Sequence, residues 1–391
     1  MTDFPGSAPV RTRGFLLAMV VVVCFATAFL LATPGFVLLM AVQWNYGIRQ
    51  LGLFVTADSI GSALGPLLLS GWLSRLPVRR IVVSSALCFA IGNALTALHP
   101  AFDAILASRV VSGTSGGVLT ALGVRYLALS AGSERNLAWM TIGQTLYSTL
   151  MLTLVLPTLG QAARAEAAFA LLALQGLLCL PLFVLFRSGE PLTTAAQERG
   201  AVNRAGSLLC LFAILSLNTA VGVVWTFIGH QGLAAGLTEA VVDRILGGAI
   251  LLSIAGCAWA PFAVRRGQLF TGCMVALALC AASALALAWP PQAWLFVLGS
   301  LAYVVAWAAA ITLMMTAVPA FDQVGRYVML IPTAICVGNG VGAAIGATLT
   351  EVLTASHAFT FAAGCCMLSA AIFLVLRRQA CGPLPEVPAT R

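Results

Sequence analysis

The chain has 391 residues, of which 61% are hydrophobic and only 8% charged, so it has too few polar residues to cover a soluble globule. Its net charge of +8 comes entirely from arginine, because the sequence contains no lysine. These arginines fall in turns between apolar segments, where basic residues determine how a membrane protein is oriented. Nucleic acid is therefore not expected as a partner.

The apolar segments predict an all-α membrane protein with twelve transmembrane helices. A helix needs about 20 apolar residues to cross a lipid bilayer, and polar, glycine or proline breaks divide the chain into twelve such segments. Their approximate bounds are 14–42, 51–74, 81–98, 104–129, 137–159, 167–186, 206–229, 241–263, 268–289, 293–318, 327–353 and 358–376. The turns between them are short, so function is expected among the helices.

The distribution of arginine predicts how the helices are oriented. If the segments alternate in direction, most arginines lie on one side of the membrane, whereas Arg49 and Arg164 lie on the other. An excess of basic residues marks the cytoplasmic side. We therefore expect the protein in a bacterial-type inner membrane, with both termini on the cytoplasmic side. The predicted units are a cytoplasmic segment 1–13, a six-helix bundle 14–186, a cytoplasmic linker 187–205, a second six-helix bundle 206–376 and a cytoplasmic tail 377–391.

Two basic turns suggest that the bundles are repeats of each other. The turn at 71–80 separates the second and third segments, and a shorter basic turn at 263–266 occupies the matching place in the second half of the chain. Matching turns between apolar spans are typical of transporters built from two halves, so we expect pseudo-two-fold symmetry between the bundles.

The turn at 71–80 and the fourth segment together resemble motifs of the major facilitator superfamily. The family's turn typically reads Gly-x-Leu-Ala-Asp-Arg-x-Gly-Arg-Arg, which Gly71, Arg79 and Arg80 match, although Arg75 stands at the acidic position. The run from Arg109 to Gly113 is similar to the family's Arg-x-x-x-Gly motif in the fourth helix, a site implicated in proton coupling. The drug/proton antiporter branch is the part of the family that the chain resembles, although the Gly-Pro motif of its fifth helix is absent.

The resemblance implies a secondary active transporter that works by alternating access and is proton-coupled, with efflux of a small organic molecule favoured. Uptake of an organic acid, a sugar or an aromatic metabolite is the first alternative, and a non-transporting membrane sensor or assembly partner is the second. No nucleotide-binding loop, metal-spaced cluster or nucleophile triad occurs in the sequence, so neither an enzyme nor a bound cofactor or metal is expected. The expected partners are a small-molecule substrate, protons and the bilayer, and the protein is expected to be a monomer.

Asp58 and Arg109 are the candidate residues for proton coupling. Each lies within an apolar segment, where a charged side chain costs about 2.5 to 3.5 kcal/mol and therefore needs a partner, a wet cavity or a function. We expect the two residues at similar depth, because an arginine close to a carboxylate favours its ionised form. A fixed structural pair is the alternative.

Further candidates are polar and aromatic side chains on the faces of predicted helices. Those expected to line a substrate cavity are Gln144, Tyr147, Asn218, Trp225, Tyr303, Trp307 and Asn339. Those expected in the cytoplasmic motif or in gating ion pairs are Gly71, Arg75, Arg79, Arg80, Glu134, Arg135, Asp322 and Arg326. Asp243 and Glu239 open the eighth segment and are expected to be hydrated, and two Gly-x-x-x-Gly pairs, at 61–65 and 342–346, are expected where helices approach closely.

Overall fold

The computed structural model describes residues 13–72, 77–98, 101–128, 130, 133–162, 165–181, 203–322 and 327–380. The elements in these ranges are helices. They are α1 (Arg13–Ala26), α2 (Ala28–Leu31), α3 (Thr33–Gln43), α4 (Ile48–Trp72), α5 (Val78–Ala97), α6 (Phe102–Ala128), α7 (Ser133–Leu150), α8 (Leu156–Ala162), α9 (Ala165–Cys179), α10 (Arg204–Ala234), α11 (Glu239–Arg265), α12 (Leu269–Ala288), α13 (Ala293–Ala317), α14 (Ile331–Val352) and α15 (Ala355–Ala380). A π-helical turn (Met151–Val155) joins α7 to α8, and 3₁₀ turns cover Val318–Ala320 and Val328–Leu330.

Within the described ranges, ten helices are long and apolar enough to cross a membrane. They coincide with the predicted segments two to five and seven to twelve. Three shorter apolar helices, α1, α3 and α9, fall in the predicted first and sixth segments. Many large apolar side chains on the outside of the helices are exposed, among them Leu98, Leu146 and Leu252. Such an exterior suits hydrocarbon rather than water, so the fold is that of an integral membrane protein.

The prediction of one unbroken helix over 14–42 is wrong, because the helix is interrupted at Thr27 and Ala32. The Thr27 hydroxyl donates to the carbonyl of Val23 at 2.8 Å, a side-chain bond that competes with the helical ladder and often bends helices. Pro34 follows at the start of α3, where its missing N–H costs nothing but prevents continuation of the preceding helix.

Glycines determine how closely the helices pack. A Cβ added to Gly61 would lie 2.5 Å from the carbonyl oxygen of Val110, and one on Gly65 would lie 2.6 Å from that of Thr114, so α4 and α6 pack backbone to backbone. In the second half Gly342 meets the carbonyl of Thr219 on α10 in the same way, and Gly346 meets a side chain of that helix. The close approach that the two Gly-x-x-x-Gly pairs predict is therefore confirmed.

The two ends of the bundle differ. At the end where α1 begins, here called the terminal side, Phe15 contacts Tyr126 near the end of α6, with ring centroids 5.4 Å apart. At the other end, here called the distal side, Tyr46 contacts Phe102 at the start of α6, at 5.5 Å. One core cluster joins the two halves on the distal side, whereas the first half has a separate core on the terminal side. The halves therefore meet on the distal side and diverge toward the terminal side.

Candidate functional site

Arg109 of α6 is the most deeply buried charged side chain among the described residues, with 1% of its surface exposed. Its Nη1 lies 3.5 Å from Oδ1 of Asp58 on α4, and its Nη2 donates to Oδ1 of Asn93 on α5 at 2.8 Å. The guanidinium carbon is also 5.2 to 5.7 Å from the ring centroids of three aromatic side chains, Phe29, Phe54 and Phe169. A carboxylate, an amide and three rings therefore surround this cation.

The local packing explains why these groups converge. A Cβ on Gly113 would collide with the backbone carbonyl of Asp58, so only glycine lets α6 approach α4 at this depth. The Nδ2 of Asn93 donates to the carbonyl of Phe89 at 2.8 Å, which turns its Oδ1 toward Arg109. The expected proximity of Asp58 and Arg109 thus occurs in the structure, whereas Asn93 and the three phenylalanines were not anticipated. Asn93 could have been found as a lone amide in an apolar span, but the rings carry no signal that separates them from ordinary core.

The distance of 3.5 Å and the burial of both residues make this a buried ion pair rather than a surface one. Such a pair gains Coulomb energy in the low-dielectric interior but loses hydration, and removal of one partner leaves an uncompensated charge. Asp58 is 6% exposed and Nε of Arg109 has no hydrogen-bond partner in the described structure. The contacts with Asp58 and Asn93 therefore fix the position of Arg109 and leave its Nε–H without a partner in the described structure.

A cavity of about 470 Å³ connects this pair with the terminal side. Asp58, Arg109 and Asn93 line one end, and Arg125 and Met329 line the other. Met329 is 65% exposed, so the cavity reaches the surface there. Its walls are contributed by α1, α2, α4, α5 and α6 of the first half, and by the 3₁₀ turn Val328–Leu330 and the start of α14 of the second half. The ion pair is therefore reached from the terminal side through a gap between the halves.

On the distal side the halves are in direct contact. The Thr56 hydroxyl on α4 donates to the carbonyl of Gly340 on α14 at 2.9 Å, and the Thr149 hydroxyl on α7 donates to that of Gly247 on α11 at 3.2 Å. Gly52 faces Ala347 so closely that a Cβ would collide with it. These contacts close the interface, so the structure is open toward the terminal side and closed toward the distal side.

A second cavity of about 230 Å³ lies between the halves and contains four of the seven predicted substrate residues, Gln144, Trp225, Trp307 and Asn339. The two indole rings are 6.4 Å apart and inclined by 35°. Gln144 on α7 donates to the Thr27 hydroxyl at the first helix break at 3.0 Å. In the described structure neither Nε1 of Trp307 nor Oδ1 of Asn339 has a hydrogen-bond partner. The cavity is thus lined by two indole rings, and an indole N–H and an amide oxygen of its lining residues lack partners.

The other three predicted substrate residues do not line this cavity. The hydroxyl of Tyr147 accepts a short hydrogen bond from Gln175, within the first half. Asn218 is fully buried, and its Nδ2 donates to the carbonyl of Ile214 at 2.8 Å while the residue packs against Gly338. Tyr303 is fully buried within the second half. The rotation of each helix directs these side chains into the bundles.

The predicted gating residues are only partly described. Arg79, Arg80 and Arg135 are exposed. Arg75 and Arg326 lie outside the described residues, and for Gly71 and Glu134 only the helical backbone is described. Asp322 is 2% exposed, and its Oδ2 accepts from the backbone N–H groups of Tyr327 at 2.5 Å and Val328 at 3.1 Å. Asp322 therefore caps the turn that leads into α14. The gating ion pairs stay a prediction.

Asp243 is not exposed at the membrane surface, contrary to what is expected of a charge at the start of a helix. Only 5% of its surface is exposed, and its Oδ1 has no hydrogen-bond partner in the described structure. Its place in the second turn of α11 indicated a position close to the membrane surface, but α3 and α8 of the first half cover it. A position along a helix does not reveal what packs over it.

Comparisons with known proteins agree with this geometry. The sequence pattern that defines the Major Facilitator Superfamily matches residues 18–320 of the chain. A D-xylose transporter from Levilactobacillus brevis is 31% identical over 102 residues, which are 26% of this chain and 22% of that protein, so the match spans about a fifth of that relative.

Two solved transporter structures have similar folds. A point variant of the nucleoside transporter NupG superposes with a TM-score of 0.75 at 13% identity, covering 93% of this chain and 99% of that one. The human organic anion transporter MFSD10 superposes with a TM-score of 0.66 at 19% identity, covering 92% and 98%. At these identities the likeness concerns the fold alone.

Proposed function

Because the chain belongs to the Major Facilitator Superfamily, we propose that it is a secondary active transporter that carries a small organic molecule across the membrane by alternating access. The observation that carries the proposal is the arrangement of the interface between the halves. A cavity with a buried ion pair at its inner end is open on one side, while hydrogen bonds between the halves close the other side. Rocking of the halves would exchange these two conditions.

The proposed topology has twelve spans. The three consecutive helices α1 to α3 would together form the first span, and α9 would form most of the sixth. The proposal keeps two six-helix bundles joined by a cytoplasmic linker, with both termini in the cytoplasm as the arginine distribution indicates. The protein would act as a monomer in a bacterial-type inner membrane, with the terminal side facing the cytoplasm.

The proposed driving force is the proton gradient, acting at Asp58. When Asp58 is ionised it pairs with Arg109, and when it takes up a proton that attraction is lost. Arg109 would still be held by Asn93 and the three rings, so protonation frees Asp58 rather than the arginine. Because α4 also carries the contact between Thr56 and Gly340, a change at Asp58 can reach the distal closure through a single helix.

The proposed substrate site is the cavity that contains Gln144, Trp225, Trp307 and Asn339. Its two indoles favour a flat or amphipathic molecule, and the indole N–H and amide oxygen without partners among the described residues favour one with a polar edge. Efflux is the favoured direction. Uptake of an organic acid, a sugar or an aromatic metabolite is the second candidate, and the local match to a D-xylose transporter supports the sugar. An open cavity with polar lining argues against a non-transporting sensor or assembly partner.

The test begins with a search for the substrate. Purified protein is screened for small molecules that raise its melting temperature, because a ligand that binds only the native state stabilises it. The best ligand is then supplied to proteoliposomes with and without a pH gradient. We expect wild-type protein to accumulate the ligand only when the gradient is present.

Asp58→Asn should lose this gradient-driven accumulation but keep exchange of labelled for unlabelled ligand, because exchange needs no net proton movement. Asp103→Asn is the matched control, since Asp103 is an exposed carboxylate on α6, and it should behave as wild type. Retained exchange also demonstrates that the variant is folded. If Asp58→Asn accumulated the ligand with the wild-type pH dependence, proton coupling at this residue would be refuted.

A further inference from the structure

A third cavity lies on the distal side, away from both the ion pair and the proposed substrate site. It has a volume of about 230 Å³ and lies between the halves. The first half contributes apolar side chains together with a glycine and a proline, whereas the second half contributes the start of α11. The lining residues are Gly35, Leu39, Leu156, Pro157, Thr238, Glu239, Ala240 and Asp243.

The carboxylate of Asp243 lies in the wall of this cavity and packs against the first half. A Cβ added to Gly35 on α3 would lie 3.2 Å from Oδ1 of Asp243, which locates this oxygen directly opposite the backbone of α3. Asp243 is 5% exposed and Oδ1 has no hydrogen-bond partner in the described structure. Glu239 lies four residues earlier, on the same face of α11, and lines the same cavity.

No cation from the described residues compensates these two carboxylates. The lining from α3 and α8 contains no titratable side chain, and Arg244, although next in sequence, is exposed. The start of a helix favours a carboxylate, which accounts for an acidic residue at this place, but it does not account for a buried oxygen without a partner. Removing an ionised carboxylate from water is costly unless an opposite charge accompanies it.

We propose that Asp243, supported by Glu239, forms a binding site for a small monovalent cation at the distal interface between the halves. The cavity is large enough for an ion with several of its waters, since one water occupies about 30 Å³ of liquid. The carboxylates of Asp243 and Glu239 and the hydroxyl of Thr238 supply too few oxygens for a divalent cage made of protein alone. The positive charge can arrive as an alkali ion or as a proton, which the experiment distinguishes.

The position of the site suggests what its occupation does. Gly35 and Pro157 belong to the first half and Asp243 to the second, so a bound cation lies between surfaces that separate if the distal side opens. The hydrogen bond from Thr149 of α7 to Gly247 lies one turn further along α11, the helix that carries Asp243. An occupied site therefore favours the closed distal interface, and an empty one leaves an unpaired charge there.

The test measures the melting temperature of purified full-length protein in detergent. One arm replaces N-methylglucamine chloride by sodium chloride at constant ionic strength and pH, and the other varies pH from 5 to 8 without sodium. We expect wild-type protein to gain about 2 °C or more in at least one arm, because a cation that binds only the native state stabilises it. Sodium dependence identifies an alkali ion, and dependence on pH alone identifies a proton.

Asp243→Asn should abolish the sodium response, or the part of the pH response that remains in Asp58→Asn protein, and Glu239→Gln should reduce that response by half or more. Glu351→Gln is the matched control, since Glu351 is an exposed carboxylate on the distal side, and it should respond as wild type. If Asp243→Asn fails to fold, the half-exposed Glu239 position carries the test. A wild-type protein that responds in neither arm, or an Asp243→Asn protein that responds fully, overturns the proposal. The measurement needs no transport, so its result is independent of the proposed function.

Discussion

At the scale of single residues, the buried charges within the predicted spans form two separate sites. Arg109 and Asp58 share one site, and the cation has three aromatic neighbours and an amide in addition to its carboxylate. Asp243 lies on the distal side, in a cavity that it shares with Glu239. The two acidic sites therefore differ in kind, because among the described residues the first has a counter-charge and the second has none.

This difference predicts how the buried ion pair contributes to stability. Asp58→Ala and Arg109→Met should each lower the free energy of unfolding by about 3 to 5 kcal/mol, because each leaves the other charge buried and unpaired. The double variant should cost clearly less than the sum, since it removes both charges. Denaturation of the purified proteins in detergent measures all three values.

The control for this series is Asp103→Ala, which removes an exposed carboxylate from α6 and should change the free energy of unfolding by no more than about 0.5 kcal/mol. If the effects of Asp58→Ala and Arg109→Met were additive within about 0.5 kcal/mol, the two residues would not be coupled. Their interaction would then contribute nothing measurable to the free energy of unfolding.

At the scale of helices, the architecture depends on small residues that let backbones touch. The parallel pair α4 and α6 in the first half and the parallel pair α10 and α14 in the second use the same device, with Gly113 and Gly342 each facing a carbonyl of the neighbouring helix. Packing of this kind drives helix association in a bilayer, where apolar side chains gain little by leaving lipid. The helix pairs that carry the ion pair and the interface are thus held by glycine contacts.

A substitution series follows from these contacts. Gly113→Ala and Gly342→Ala should each destabilise the protein by about 1 to 3 kcal/mol, because the added methyl collides with backbone that cannot move aside. Gly113→Ala should also weaken the function of the ion pair, since Asp58 supplies the colliding carbonyl. Thermal unfolding together with the transport assay measures both effects.

Gly248→Ala and Gly364→Ala serve as controls, because nothing lies within 4 Å of a Cβ added at either position. Both glycines are helical, so alanine should leave stability unchanged or raise it by up to about 1 kcal/mol. Equal losses at all four positions would mean that helix packing is not what makes these glycines necessary.

At the scale of the whole molecule, the halves form a gap on one side and a seal on the other. Among the described residues, core packing is continuous between them only on the distal side, and the large cavity reaches the surface on the terminal side, near Met329. A carrier in this conformation presents its site to one compartment. Transport then requires that the contacts of α4 with α14 separate.

A cross-link between these helices tests that requirement. A Cβ on Gly340 would lie 3.1 Å from Cβ of Ser59, close to the separation of about 3.5 to 4.5 Å found in disulfides. Oxidation of the Ser59→Cys, Gly340→Cys double variant should therefore stop transport while ligand binding from the terminal side is retained, and reduction should restore transport. Proteoliposome uptake before and after reductant measures the effect.

Each single-cysteine variant, oxidised in the same way, controls for the native cysteines and should keep its activity. Undiminished transport by fully cross-linked protein would show that this seal does not open during the cycle, and alternating access at α4 and α14 would have to be abandoned.

The sequence by itself determined the membrane class, ten of the predicted spans to within a few residues, the family resemblance and the glycines of close approach. These properties follow from hydropathy, from local motifs and from the absence of a side chain at glycine, all of which are local features of the sequence. It also selected Asp58 and Arg109, because a charge within an apolar span is conspicuous wherever it lies. The polar and aromatic side chains on helix faces likewise gave seven candidate substrate residues, of which four line one cavity in the structure.

Only the tertiary structure decided which side chains meet. The rotation of each helix about its axis depends on the neighbours against which it packs, and a change of one residue along a helix turns a side chain by about 100°. That is why Tyr303 points into its own bundle, why Asn93 and three phenylalanines surround Arg109, and why Asp243 is covered by the opposite half. The gap between the halves likewise arises from packing between distant segments, which no stretch of sequence contains.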